Sequence, residues 1–202
     1  MVRPPFARRA FTLIELLVVI SVIAILIGLL FPAFRGVQDQ AKRTQAKNDV
    51  TQLVTAVNAF YTEYGKYPIA TTDSALAATA RADLMYTLRA VANGANSSNA
   101  VNTRQIVFLS PPDAKDQTTS RSGIKTSDGQ WYDPWANPYN VEINGSYDNG
   151  IPNPYTADTG AGPATLTQGV IAWSLGSDGV LGSNGAYKDN NNVQCDDVIS
   201  WQ

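Results

Sequence analysis

The sequence predicts an α+β protein in which a long N-terminal helix, half transmembrane and half amphipathic, packs against a small head with a short antiparallel β-sheet. Three observations predict it. Residues 16–31 are almost uninterruptedly apolar. Val50, Leu53, Val54, Val57, Phe60, Tyr61 and Tyr64 then recur at the spacing of one helical face. Towards the C-terminus come three short stretches rich in β-branched and aromatic residues, each bounded by Gly, Asn or Asp.

The first element is the apolar run. From Leu16 to Phe31 its one polar side chain is Ser21, and with Phe11 to Leu13 it reaches the roughly 20 residues that span a hydrocarbon core. Arg3, Arg8 and Arg9 precede it with no acid among them, which keeps the extreme N-terminus cytoplasmic. A secretory signal has a shorter apolar region and a small-x-small cut site, and PAFRGVQ is a poor one. A plain signal anchor explains the length but not Glu15. A carboxylate at that depth costs at least ~2.5 kcal/mol and is normally retained for a purpose. Gly28 and Pro32 predict a kink where the helix leaves the membrane.

The amphipathic half follows. Its apolar stripe ends at Tyr64, Gly65 sits at the C-cap position and Pro68 forbids continuation. The opposite face carries Asp39, Lys42, Arg43, Lys47, Asp49 and Glu63. The whole helix, from about Phe11 to Tyr64, is about 80 Å long. The organisation is therefore a leader at 1–10, a transmembrane segment at 11–34, a stalk at 35–64 and a globular head at 65–202.

Within the head, a second helix is expected at 73–92, capped by Asp73 or Thr72 and ending before Gly94. GANSSNAVNT reads as a surface loop, RQIVFL as a short extended segment and residues 111–130 as a long loop. The sequons at Asn96 and Asn144 are matches of pattern only. The strands are expected at Tyr139–Asn144, Gly169–Ser174 and Val198–Trp201, forming a small antiparallel sheet on the stalk helix. Trp131, Trp135, Trp173 and Trp201 are scattered, as core residues are.

Composition excludes several functions. With no histidine, imidazole metal sites and His-based acid–base catalysis are impossible. Cys195 is the single cysteine, so no disulfide forms within the chain and no thiolate zinc cluster exists. A formal charge of −2 gives no warrant for nucleic-acid binding. No nucleophile–base motif supports an enzyme.

Arg8-Arg9-Ala10 followed by Phe11-Thr12-Leu13-Ile14-Glu15-Leu16 resembles the processing signal of type IV pilins and type II secretion pseudopilins. The resemblance implies cleavage between Ala10 and Phe11 by a prepilin peptidase, N-methylation of Phe11, and an acid, Glu15, at the fifth position of the mature chain. Ala10 stands where the family usually has Gly. Glu15 is then the partner of the new amine, its own or a neighbour's, and each lowers the burial cost of the other. Pro32 matches a proline near which many assembled pilins unwind. Tyr64-Gly65-Lys66-Tyr67-Pro68 resembles the pseudopilin segment that closes the helix.

Two head motifs extend the likeness. Asp133-Pro134-Trp135-Ala136-Asn137-Pro138-Tyr139 resembles the D-x-W-G-x-P-Y turn of major pseudopilins, with Ala136 in place of Gly. Ser174-Leu175-Gly176-Ser177-Asp178-Gly179, with Asp196-Asp197-Val198-Ile199, resembles their calcium-binding loop. Ca²⁺ wants 6–8 oxygen ligands, and Asp178, Asp189, Asp196, Asp197 and the Leu175 carbonyl are candidates. The competing reading is a solvated Asp/Asn/Gly loop, longer here by Asn190-Asn191-Asn192.

The family implies a structural, non-enzymatic subunit held in the inner membrane with a periplasmic head. Its partners would be copies of itself in a helical filament, other pseudopilins, the inner-membrane assembly platform and the prepilin peptidase. A type II secretion pseudopilus is the first expectation. A type IV pilin for adhesion, motility or DNA uptake is the second, and a membrane-tethered periplasmic binding protein or enzyme a distant third.

Overall fold

The structure, a computed structural model, describes residues 11–69, 73–155, 160–189 and 191–202, with residues 29–33 and 35 described by backbone alone. The leader with Ala10, the alternative cap Thr72 and Asn190 lie outside the described residues. The chain divides into two units, Met1–Ala41 and Lys42–Gln202.

Helix α1 runs Leu13–Tyr64. Its start is set by a feature the sequence contained but the periodicity did not display. Thr12-x-x-Glu15 is a capping box. The Thr12 N–H and hydroxyl donate to Glu15 Oε2 at 2.8 and 2.7 Å, and the Glu15 N–H donates back to Thr12 Oγ1 at 3.3 Å. Backbone helix continues through Pro32. In the first unit the apolar side chains from Leu13 to Ile27 are exposed on every side of the helix. Among the described residues no helix is long and apolar enough to cross a membrane.

The second unit is α+β, as the sequence predicts. Stripe residues Val50, Leu53, Val57 and Phe60 are fully buried, and Ala46 and Ala56 join them. Phe60 stacks on Tyr64 with ring centroids 4.4 Å apart and meets Phe108 edge-on. Gly65 ends α1 at φ +68° with its N–H on the Tyr61 carbonyl at 2.8 Å. Two residues assigned to the solvated face are in fact fasteners. Lys47 Nζ donates to the carbonyls of Ile199, at 2.7 Å, and of Gln202. Asp49 accepts from the Tyr139 hydroxyl at 2.7 Å.

Helix α2 runs Ala78–Leu88, shorter than the expected 73–92. Its N-cap is Ala77, with no side-chain cap. Asp73 does not cap it because its carboxylate accepts the Ser146 N–H at 3.1 Å. The helix stops early in a Schellman motif. Ala90 takes φ +56°, its N–H bonds the Thr87 carbonyl, and the Val91 N–H bonds the Tyr86 carbonyl at 2.9 Å.

Two short pairs flank the main sheet. Strands β1 (Gly123–Ile124) and β2 (Trp131–Tyr132) pair antiparallel, so the 111–130 region is not only loop. Strands β4 (Ile151–Pro152) and β5 (Thr165–Leu166) form another such pair. The main sheet has the three expected strands, β3 (Asn140–Ile143), β6 (Val170–Ser174) and β7 (Val198–Ile199), antiparallel in the order β3-β6-β7. RQIVFL stays outside the ladders, held by Phe108 and Leu109 N–H bonds to the Leu88 carbonyl.

All five β6 residues are buried, so this sheet is covered on both faces. Val170 and Ala172, with Val141, Ile143 and Val198, meet α1 and α2 in one core. Ile171, Trp173 and Ile199 meet Ile151, Tyr155, Leu166 and Tyr187 in a second. GANSSNAVNT is not a plain surface loop either. Asn96 and Asn102 are fully buried. Asn102 donates to the Thr87 and Ile106 carbonyls and accepts from the Tyr64 hydroxyl at 2.8 Å. Asn144 is 4% exposed, so neither sequon asparagine is accessible to a glycosyltransferase.

Glu142 pairs with Ile171 in the ladder and so lies on the second-core face. It is buried, with Oε1 unpartnered. Burial, and then the negative charge of Asp73, push its carboxyl up to about 7. A raised folded-state value means that the proton stabilises the fold below the unfolded value near 4.5, and that this contribution is lost as pH rises through about 7. Glu142→Gln keeps the shape without the charge. In urea titrations the variant should be more stable than the parent by about 1–3 kcal/mol at pH 8, the difference vanishing below pH ~4.5. A constant difference across that range would refute the assignment.

Candidate metal centre in the C-terminal loop

The turn Asp133–Tyr139 and the loop after β6 form one hydrogen-bonded unit. Asp133 is fully buried and accepts the Trp135 and Asn137 N–H groups on Oδ1, each at 2.8 Å, while its Oδ2 takes the Ser174 hydroxyl. Asn137 Nδ2 donates to the Gly176 carbonyl at 2.6 Å. Burial raises the Asp133 carboxyl despite these bonds. Ala136, in the place of the usual glycine, sits at φ +79°. The turn therefore keeps a glycine-type geometry with a Cβ in it.

Beyond Ser174 the loop folds back against its own C-terminal end. Asp196 Oδ2 accepts the Ser177 N–H and hydroxyl, at 2.5 and 2.6 Å, and the Asp178 N–H at 3.2 Å. Gly176, at φ +66°, leaves room for this: a Cβ there would lie 2.6 Å from the Asp196 carboxylate. Asp197 is 1% exposed and accepts the Tyr155 hydroxyl at 2.6 Å and the Gly182 N–H at 2.8 Å, both on Oδ2. Its Oδ1 is buried without a partner.

Asp178, Asp196 and Asp197 each bring a carboxylate oxygen within 4.8 Å of the others. Asp189 is not among them. Its Oδ1 accepts the Asn191 and Val193 N–H groups, at 2.9 and 2.8 Å, and serves its own turn. The Leu175 side chain packs on the second core. Burial is the main force on Asp197 and raises its carboxyl, with Asp196 and Asp178 adding repulsion. Burial would raise Asp196 too, but the Ser177 bonds outweigh it and hold that carboxyl below its ordinary value. Burial also pushes the Cys195 thiol up to about 11.

The donor set is all oxygen, which suits a hard cation. Oxygens sharing a calcium at 2.3–2.6 Å lie at most about 5 Å apart, and the three carboxylates meet that limit. The orphaned Asp197 Oδ1 is the kind of buried acceptor that an ion would complete.

At the other end of the chain, Phe11 is exposed and Glu15 is engaged by Thr12. The family model described as the prokaryotic N-terminal methylation motif matches residues 6–31. The type IV major pilin protein PilA of Myxococcus xanthus is 38% identical over 60 residues, 30% of this chain and 27% of that protein. The type II secretion system core protein G of Pectobacterium carotovorum is 32% identical over 63 residues, 31% of this chain and 40% of that protein. The core protein G of Klebsiella michiganensis is 35% identical over 72 residues, 36% of this chain and 49% of that protein. Each match spans less than half of the relative's length. No solved structure matches the chain.

Ala136→Gly tests the turn. A non-glycine residue at positive φ costs about 1–2 kcal/mol, and glycine gives back part of that in backbone entropy. The net expectation is a rise in melting temperature of roughly 1–3 °C by calorimetry. A fall would show that the Cβ contributes more by packing than it costs in strain.

With the methylation motif at its start and a long helix packed on a small antiparallel sheet, the chain is similar, over about its N-terminal third, to type IV pilins and type II secretion pseudopilins.

Proposed function

We propose that this chain is a structural, non-enzymatic subunit of a type II secretion pseudopilus, assembling into a helical filament that promotes protein export. One observation carries the reading. The apolar side chains of α1 from Leu13 to Ile27 are exposed all round the helix, next to the methylation motif. A helix apolar on every face is not stable alone in water; lipid or neighbouring helices must cover it. The leader at 1–10, the membrane segment at 11–34 and the periplasmic head follow from that reading. So do partnership with other pseudopilins, the assembly platform and a prepilin peptidase.

A filament needs a head-to-tail contact that does not close. Copies of α1 packed side by side supply it, and the amine freed at Phe11 by cleavage after Ala10 would meet Glu15. The pilin relative of Myxococcus supports a second reading, a type IV pilus subunit. The two are separated by the machine encoded beside the gene and by whether surface pili disappear on its deletion.

Calcium is part of the same proposal. Asp178, Asp196 and Asp197 would hold it, with Asp189 outside and the Leu175 carbonyl a further candidate. Neutralising three neighbouring carboxylates would hold the C-terminal loop over the sheet in a chain that cannot form a disulfide.

Mass spectrometry of the native protein should find an N-methylated Phe11 as first residue. Glu15→Gln should keep the helix cap but abolish filaments, as Glu15→Ala should, because the charge and not the hydrogen bond would pair with the amine. Filaments from Glu15→Gln would remove that role. For the ion, the full chain in detergent should melt about 5–10 °C higher with calcium at a hundredfold excess over its dissociation constant. Asp178→Asn, at an exposed position, should lose most of that rise. No rise in the parent would end the calcium reading.

A further inference from the structure

We propose that a tyrosine-walled cavity on the head, sharing no lining residue with the aspartate group, binds a neutral saccharide. The cavity has a volume of about 400 Å³, and its lining includes Tyr61, Tyr67 and Tyr147 together with Asn144, Asn149 and Gln168. That volume lies at the small end of ligand sites and suits one or two sugar rings.

The wall is preorganised. Tyr61 and Tyr67 have ring centroids 4.7 Å apart, and Tyr67 stacks on Tyr147 at 5.3 Å. The Tyr147 hydroxyl accepts the Tyr67 N–H at 3.2 Å. Gly169 is what lets Tyr67 lie there, since a Cβ at that position would fall 2.1 Å from the Tyr67 hydroxyl. Tyr147 is 52% exposed and adopts φ +57°, a left-handed conformation that a tyrosine seldom takes. Three aromatic rings left partly open to water are an invitation to an apolar ring face.

The floor asks for hydroxyl groups. Asn144 lines the cavity, is 4% exposed, and its Oδ1 has no hydrogen-bond partner. A buried acceptor of that kind costs about 1–3 kcal/mol until a donor reaches it. Its backbone is fixed by the Asn144 N–H bond to the Gly169 carbonyl at 2.9 Å, so the side chain cannot easily turn away. Asn149 and Gln168 add amide donors and acceptors at the rim.

Among the described residues no charged side chain lines the cavity, which disfavours phosphates, carboxylates and cations as its occupant. A proline-rich peptide would use the tyrosines but leave the Asn144 acceptor unserved. A sugar satisfies both halves, its C–H face on the rings and its hydroxyls on the amides.

The test uses the full chain in a detergent without a sugar headgroup, with cellobiose, maltose and N,N′-diacetylchitobiose as probes in saturation-transfer NMR. At least one should show transfer and saturate at or below about 10 mM. Tyr147→Ala and Gln168→Ala, both at exposed positions, should each weaken that binding about tenfold while leaving the melting temperature within about 1 °C. No transfer to any probe would overturn the proposal, as would binding unchanged in Tyr147→Ala or binding of a proline-rich peptide alone. These outcomes are independent of filament assembly and of calcium.

Discussion

Strand β6 has no solvent face, and most of the head follows from that. In a strand of five buried residues, alternate side chains must be claimed by different layers. Val170 and Ala172 are claimed by α1 and α2, and Ile171 and Trp173 by the chain that wraps the far side. The helix covers its face with a continuous stripe. The far face has no helix and is covered by β4, β5 and the long loop after Ser174, where regular hydrogen bonding is sparse. Glycines and aspartates in that loop thus serve packing: they let irregular backbone lie close on a sheet while aspartates take the Ser177, Asp178, Val180 and Gly182 N–H groups.

The cost of covering a sheet with acid-rich loop is visible in the carboxylates. Asp133, Asp197 and Glu142 are all nearly inaccessible, and burial raises each of them. Their environments still differ in kind. Asp133 is fully used as a turn organiser, accepting two backbone N–H groups and the Ser174 hydroxyl. Asp197 has one oxygen served and one not, beside two further carboxylates. Glu142 has an unserved oxygen and no cluster. Of the three, Asp197 alone has the surroundings a divalent ion would complete.

Legibility in the sequence followed the length of each pattern. Helix α1 was readable because its stripe persisted long enough to be distinguished from chance, and the three main strands because β-branched and aromatic residues bounded by Gly, Asn or Asp mark them. The two-residue strands of β1, β2, β4 and β5 are too short to have a period. The buried asparagines Asn96 and Asn102 were invisible for another reason: polarity argues for a surface, and only the carbonyls they bond explain their burial. The early end of α2 rests on Ala90 at positive φ, a position where sequence rules expect glycine. At the candidate metal centre, three of the four aspartates named from the sequence, Asp178, Asp196 and Asp197, lie together. Asp189 lies apart from them: an aspartate can satisfy itself on backbone N–H groups just after it, and Asn191 and Val193 supply those groups.

Glu15 shows why one acid can answer two demands. A lone carboxylate in an apolar run calls for a charged partner, yet Thr12 already engages it through a capping box that TLIE spells out. Both Thr12 bonds fall on Oε2, and a carboxylate has acceptor capacity on its second oxygen as well. Cleavage before Phe11 would leave Thr12 in place as the cap residue and add an amine one residue upstream. The cap would then hold the carboxylate in one orientation at the helix start, while the negative charge it carries favours the positive end of the helix dipole. On this view the threonine is not a rival explanation of Glu15. It would fix the direction in which the acid faces the proposed amine, so that the strength of the pair is not spent on ordering the side chain.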